Sequence, residues 1–140
     1  MAHSPELSLL CRVHTRLCTL PISQVIETMR PLPIEPMQGA PAFVCGVAII
    51  RGQPVPVLDT AQLLGTEASP PERFVTLRVG DRQVALAVSQ VVGIRAIPEA
   101  ALHALPPLLQ ETQVVDSIGA LDAELLLVLN QARLTAMEPA

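Results

Sequence analysis

The chain has 140 residues, half of them hydrophobic, which suffices for one ordinary domain with a packed core or for two very small domains. Its formal net charge of −4 disfavours a nucleic-acid-binding surface, and two Phe with no Trp or Tyr leave almost nothing on which bases could stack. Its longest run of apolar residues and glycine, residues 42–50, is far shorter than the ~20 residues that span a bilayer, so we expect a soluble, cytoplasmic protein without direct membrane insertion.

Ten short strands are predicted along the chain. Fourteen prolines disfavour long helices, because proline breaks helix interiors, and the many Val, Ile and Thr residues suit a pleated sheet. In chain order the predicted strands are Leu7–Val13, Leu17–Ile22, Val25–Met29, Val47–Arg51, Val55–Asp59, Phe74–Val79, Gln83–Val88, Val91–Ile97, Val114–Leu121 and Leu125–Leu129. Short helical turns are predicted at Ala61–Leu64, Glu99–Ala104 and Gln131–Met137. The fold class is therefore expected to be all-β.

The sequence repeats itself once. LPISQV at residues 20–25 corresponds to LAVSQV at residues 86–91, and VLDTAQLL at residues 57–64 corresponds to VLNQARLT at residues 128–135. The predicted hairpin tips, residues 14–16 and 80–82, are separated by the same offset as the first pair of blocks. Apolar positions recur between the copies, whereas Arg51-Gly52 of the first copy corresponds to Asp122-Ala123 of the second. The apolar skeleton is therefore structural, and Arg51 is a feature of the first copy.

Each copy supplies five predicted strands, and five short connected strands can close into a small barrel that leaves no exposed sheet edge. A unit of roughly 60 residues buries only about 60% of its unfolded surface, so two copies should pack together or partly intertwine. We predict one domain spanning residues 1–140, with a first barrel at about residues 1–66 and a second at about residues 67–140.

Cys11, His14 and Cys18 have a spacing that superficially resembles a zinc site. In a hairpin, however, the two cysteines would lie in paired strands while His14 would lie at the turn. We therefore expect buried, reduced cysteines and neither a metal nor a cofactor.

No nucleophile elbow, phosphate-binding glycine loop or acidic metal-binding run is present in the sequence. Asp59, Glu27 and His103 are the side chains that an enzyme hypothesis would have to bring together. Asp59 follows a strand directly before a predicted helical turn, where a short carboxylate caps the helix. We therefore expect no enzymatic activity.

The run AFVCGVAIIRGQPVPVLDTAQLLG, residues 42–65, closely resembles the signature of the CheW-like family, and weaker similarity extends over nearly the whole chain. The resemblance implies two five-stranded SH3-like barrels and a non-enzymatic adaptor that couples chemoreceptors to the histidine kinase CheA in bacterial chemosensory arrays. The sequence departs from the family's usual residues at Ile49, Ala85, Ser89 and Asn130.

The same resemblance implies two contact surfaces. The cytoplasmic hairpin tip of a chemoreceptor would bind a groove between the barrels at positions matching Val25, Glu27, Gly46, Arg51, Val84 and Ala85. The regulatory domain of CheA would contact a barrel end around Gln53, Pro54 and Val55. An alternative is a redirected CheW-like binding module, such as an inhibitor, an array cap or an adaptor of a pilus-linked chemosensory system.

Overall fold

The structure, a computed structural model, describes residues 7–107 and 114–130. Within them the chain forms short strands, with one short helix, α1 (Thr60–Leu63), and 3-10 turns at Ile22–Gln24 and Glu99–Ala101. The strands are β1 (Leu7–Val13), β2 (Arg16–Pro21), β3 (Val25–Met29), β4 (Val44–Ile50), β5 (Gln53–Asp59), β6 (Arg73–Val79), β7 (Arg82–Val88), β8 (Gln90–Ala96), β9 (Leu102–Ala104), β10 (Val115–Leu121) and β11 (Glu124–Leu129).

The all-β prediction is confirmed, and all ten predicted strands are present with shifted ends. The helical turn predicted at Glu99–Ala104 is wrong in its second half, because Leu102–Ala104 pairs with β10 as the short strand β9. The helical turn predicted at Gln131–Met137 lies outside the described residues.

The strands form two sheets whose membership crosses the predicted barrel boundary. One sheet has the order β8-β1-β2-β11-β10-β9, and the other has the order β3-β6-β7-β5-β4. The first hairpin of each copy, β1–β2 or β6–β7, therefore lies in the sheet that contains the remaining strands of the other copy. A division into residues 1–66 and 67–140 does not separate the sheets, because the two copies exchange hairpins.

The internal repeat of the sequence is visible in the strand pairing of the two sheets. Each sheet contains one parallel pair, β2 with β11 in the six-stranded sheet and β7 with β5 in the five-stranded sheet. Strand β9 extends the six-stranded sheet to one strand more than predicted. The corresponding place beside β4 holds only an isolated bridge between Glu35 and Val47. The prediction of five strands therefore matches the sheet formed by β3–β7 and misses one strand in the other.

Three apolar clusters hold the sheets together. The largest combines residues from both sheets, including Leu9, Cys11, Val75 and Leu127. A second cluster fills the five-stranded barrel, and its buried members are Ala48, Ile50, Val55, Val57, Phe74, Ala85 and Ala87. A third fills the six-stranded barrel, with Leu10, Leu17, Ile97 and Leu126. Because successive side chains of a strand point to opposite faces, β1 buries one face inside its barrel and the other between the sheets.

The equivalent hairpins β4–β5 and β10–β11 turn through two residues with positive φ. The φ angles are 53° at Arg51 and 79° at Gly52, and 51° at Asp122 and 64° at Ala123. Two central residues with positive φ match the right-handed twist of the flanking strands in a tight hairpin. Arg51, predicted as the last residue of a strand, therefore lies in the turn between β4 and β5.

Candidate functional site

Arg51 and Glu27 form a bidentate ion pair. The Arg51 Nε atom donates to Glu27 Oε2 at 3.0 Å, and its Nη2 atom donates to Oε1 at 2.9 Å. The pair lowers the pKa of the Glu27 carboxyl and raises that of the guanidinium, chiefly through these hydrogen bonds. The Arg51 side chain is 77% exposed, while that of Glu27 is 25% exposed. The carboxylate thus lies under a guanidinium that faces solvent.

This ion pair spans the open seam of the five-stranded barrel. Glu27 lies on β3 and Arg51 follows β4, and these two strands are the opposite edges of the sheet. Since β3 and β4 do not hydrogen-bond to each other as neighbours, the side-chain pair links edges that the backbone ladder leaves apart. Residues 24 positions apart in sequence are joined there.

The second barrel has a similar pair with the charges exchanged. The Nη1 atom of Arg95 on β8 donates to Asp122 Oδ2 in the β10–β11 turn at 2.8 Å. The turn residue is the cation, Arg51, in the five-stranded barrel and the anion, Asp122, in the six-stranded barrel. Sequence comparison noted that Asp122 corresponds to Arg51, but it missed the partner of Asp122, because Arg95 lies two residues beyond Gly93, the counterpart of Glu27.

The other predicted receptor-groove residues differ in accessibility. Val25 is half-buried on β3, next to the Glu27 segment. Gly46 is buried at an irregularity in the β4–β5 register. Val84 is 4% exposed and Ala85 is fully buried, because both point into apolar clusters from the central strand β7. Their assignment to a contact surface is therefore wrong for their side chains.

The predicted kinase-contact residues also differ in their exposure to solvent. Gln53 and Pro54 are exposed at the start of β5, whereas Val55 is 1% exposed inside the five-stranded barrel. Val55 alternates with Pro54 along the strand and so points to the opposite face, which corrects its assignment to the surface.

Ile49 is the residue that sequence reasoning missed at this surface. It lies directly opposite Pro54 in the β4–β5 ladder and is 63% exposed. Val47 and Pro56, the next outward pair, are half-buried. We call these four side chains the hairpin face. The run of residues 42–50 looks continuously apolar, but within it Ala48 and Ile50 point inward and Ile49 points outward.

Cys11, His14 and Cys18, whose spacing resembles a zinc site, all lie in the β1–β2 hairpin. Cys11 and Cys18 are direct partners in the β1–β2 ladder, as predicted, and burial raises the pKa of each thiol to about 12. His14 lies at the hairpin turn, where its Nε2 atom donates to the Glu67 carbonyl oxygen at 2.9 Å. Among the residues that the structure describes, no group of three His, Cys, Asp or Glu side chains is arranged to hold a metal ion.

The residues of the enzyme hypothesis lie on different elements. Asp59 caps α1, accepting from the Ala61 N–H at 3.0 Å, and also accepts from the Ser69 N–H at 3.1 Å. The capping prediction is confirmed. His103 is exposed on β9 of the six-stranded sheet, whereas Glu27 belongs to the five-stranded sheet. In the described ranges no helix is long and apolar enough to cross a membrane.

Comparison with known proteins identifies the family. The CheW-like domain model matches residues 8–138. The chain belongs to the CheW-like family. It is similar to Protein FrzA of Myxococcus xanthus, with 31% identity over 74% of this chain and 66% of that protein, and to Protein PilI of Pseudomonas aeruginosa, with 31% identity over 69% and 57%. Chemotaxis protein CheW of Rhizobium meliloti is 30% identical over 66% of this chain and 61% of that protein.

The fold has a solved counterpart in the family. The scaffolding protein TtCheW of Thermoanaerobacter tengcongensis superposes with a TM-score of 0.82 at 22% identity, covering 90% of this chain and 89% of that one. Two SH3-like barrels are therefore shown for this CheW-like chain. The match spans 57–66% of the length of the three curated relatives named above.

Proposed function

We propose that this CheW-like protein is a non-enzymatic adaptor of a bacterial chemosensory system, coupling a chemoreceptor to the histidine kinase CheA in the cytoplasm. The observation that carries the proposal is the family match over residues 8–138. Two of the relatives are named as a chemotaxis protein and a scaffolding protein. An adaptor requires separate contact surfaces, and the five-stranded barrel offers two.

The receptor surface we propose is the ion-paired seam around Arg51, Glu27 and Val25. A guanidinium has five N–H donors, and Glu27 occupies two of those of Arg51. The remaining edge of this exposed group suits a carboxylate or a free carbonyl at the tip of a helical hairpin. Gly46 would support this surface through the backbone, since it has no side chain to offer.

The kinase surface we propose is the hairpin face with Gln53 beside it. Ile49 and Pro54 point away from the barrel interior, whereas Arg51 leans across the seam toward β3. An exposed apolar pair of this kind fits a hydrophobic contact with a paralogous barrel of the kinase. The two surfaces therefore lie on one hairpin but face different directions.

The receptor assignment is tested by Arg51→Ala, titrated against a receptor cytoplasmic fragment by calorimetry. We expect a loss of about 1–3 kcal/mol in binding free energy, as for an interface hot spot, and a normal fold. Asp122→Ala is the matched control, because it removes the charged residue from the equivalent turn of the other barrel. Equal losses for both variants, or none for Arg51→Ala, would contradict the assignment.

The kinase assignment is tested by Ile49→Glu in a pull-down with the CheA regulatory domain. We expect this variant to fold and to lose kinase binding while it keeps receptor binding. Val92→Glu is the control, because Val92 is also a strongly exposed apolar residue but lies on β8 of the other sheet. Wild-type kinase binding by folded Ile49→Glu would move the interface elsewhere. Binding of only one partner by the wild-type protein would favour a redirected module such as an inhibitor or an array cap.

A further inference from the structure

Thr76 makes an unusual contact beneath the Arg51–Glu27 pair. Its side chain, fully buried on β6, binds the backbone of Glu27 twice. The hydroxyl accepts from the Glu27 N–H at 3.1 Å and donates to the Glu27 carbonyl oxygen at 3.2 Å. The register between β3 and β6 shifts at this point, between Val25 and Glu27. The register skips Ile26, as at a β-bulge, and the Thr76 hydroxyl binds the backbone groups of Glu27, the residue that follows.

This contact holds the backbone from which the Glu27 side chain extends. β3 is an edge strand, so it has a neighbouring strand, β6, on one side only. Its other side faces the seam, where the Glu27 carboxylate meets Arg51. The backbone that carries the carboxylate is therefore held from beneath by Thr76, and the carboxylate in turn orients the guanidinium.

We propose that Thr76 is the positioning residue for the Arg51 surface: its hydroxyl holds the backbone of Glu27 beside the register shift, so that the carboxylate turns the free edge of the guanidinium toward a bound partner. The inference rests on the proposed receptor-binding role of Arg51. Thr76 itself contacts no partner, because it is fully buried. It acts through Glu27.

The six-stranded barrel shows that the fold does not require this hydroxyl. Leu10 occupies the position equivalent to Thr76, and it is buried in an apolar cluster of the six-stranded barrel. The ion pair there, between Arg95 and Asp122, has both side chains well exposed, at 48% and 76%. The threonine and the more deeply set carboxylate therefore occur together, in the five-stranded barrel, whose turn carries the arginine.

Thr76→Val tests the inference, because valine keeps the shape of the side chain and removes the hydroxyl. Thr19→Val is the matched control: Thr19 is also buried, and its hydroxyl donates to the Leu9 carbonyl oxygen at 3.0 Å in the other sheet. The Glu27 carboxyl is titrated by carbon NMR in the full chain, and binding to the receptor cytoplasmic fragment is measured by calorimetry.

We expect Thr76→Val to raise the pKa of Glu27 toward its ordinary value and to weaken receptor binding about 2- to 10-fold, the range of one hydrogen bond. Thr19→Val should change neither quantity. Thr76→Ser, which restores the hydroxyl, should recover both. Because Thr76 acts through Arg51, combining Thr76→Val with Arg51→Ala should add little to the loss caused by Arg51→Ala alone.

An unchanged pKa of Glu27 in folded Thr76→Val would overturn the positioning role. That role also fails if Arg51→Ala loses receptor affinity while Thr76→Val binds like the wild type, and in that case the proposed function stands. If neither variant loses affinity, the receptor role of Arg51 fails, and the inference that rests on it fails too.

Discussion

Gly46 is the position at which the structure predicts that one added methyl group does most damage. A Cβ atom built there would lie 2.1 Å from the Glu35 carbonyl oxygen and 2.8 Å from Ile34 Cγ2. The φ angle of Gly46 is +147°, in a region that side chains rarely adopt. Glu35 is not free to retreat, because it exchanges two backbone hydrogen bonds with Val47, at 2.8 and 2.9 Å.

The cost of Gly46→Ala follows from these contacts. Backbone strain at such a φ angle costs about 1–3 kcal/mol. Relief of the clash requires the Glu35 segment to move, and the loss of its two hydrogen bonds costs about 0.5–1.5 kcal/mol each. We expect a total loss of about 2–6 kcal/mol in the free energy of unfolding, which lowers the Tm by roughly 6–24 °C in a chain of this size.

Gly52→Ala is the control for this experiment. Gly52 also has a positive φ angle, 79°, but nothing lies within 4 Å of a Cβ atom built there. Its substitution should therefore cost only the conformational strain, about 1 kcal/mol. Both variants are compared by thermal and urea denaturation. Stabilities of the two variants that agree within about 1 kcal/mol would refute the claim that the close approach of Glu35 dictates glycine at position 46.

Three further outcomes are expected. Thr60→Val should stabilise the fold by about 1 kcal/mol in urea denaturation, because the buried Thr60 hydroxyl has no hydrogen-bond partner among the described residues; a loss of stability would contradict this. Ala123→Gly should raise the free energy of unfolding by about 0.5 kcal/mol, because glycine relieves the strain of a positive φ angle, as Gly52 does in the first copy. A destabilised variant would argue against strain at position 123. A thiol reagent should modify half-buried Cys45 in the native protein well before Cys11 and Cys18, whose burial raises the pKa to about 12; equal rates would contradict that burial.

The sequence sufficed for every strand of the described residues except β9, because proline, glycine and alternating apolar residues mark them locally. The duplication also led to the expectation that the two copies would pack together or partly intertwine. Which hairpins are exchanged was not predictable in the same way, because both copies have the same apolar skeleton. A strand such as β7 suits either sheet equally well by its pattern, and its parallel pairing with β5 is set by tertiary structure.

The candidate site was predictable only in part, for a similar reason. Glu27 and Arg51 were both singled out, but a contact across the seam between edge strands leaves no local signal. Burial of Val84 and Ala85 follows from the central place of β7, which depends on the exchange of hairpins. The exposure of Ile49 could have been found by applying strict alternation to β4, since its neighbours Ala48 and Ile50 share the opposite face.

The coupling function is tested most directly by mixing this protein with the CheA regulatory domain and a receptor cytoplasmic fragment, and measuring the mass of the eluted species by light scattering after size exclusion. We expect a complex that contains all three components, reduced by Arg51→Ala through loss of the receptor fragment and by Ile49→Glu through loss of the kinase domain. Displacement of one partner by the other, or binding of only one of them, would contradict the coupling function.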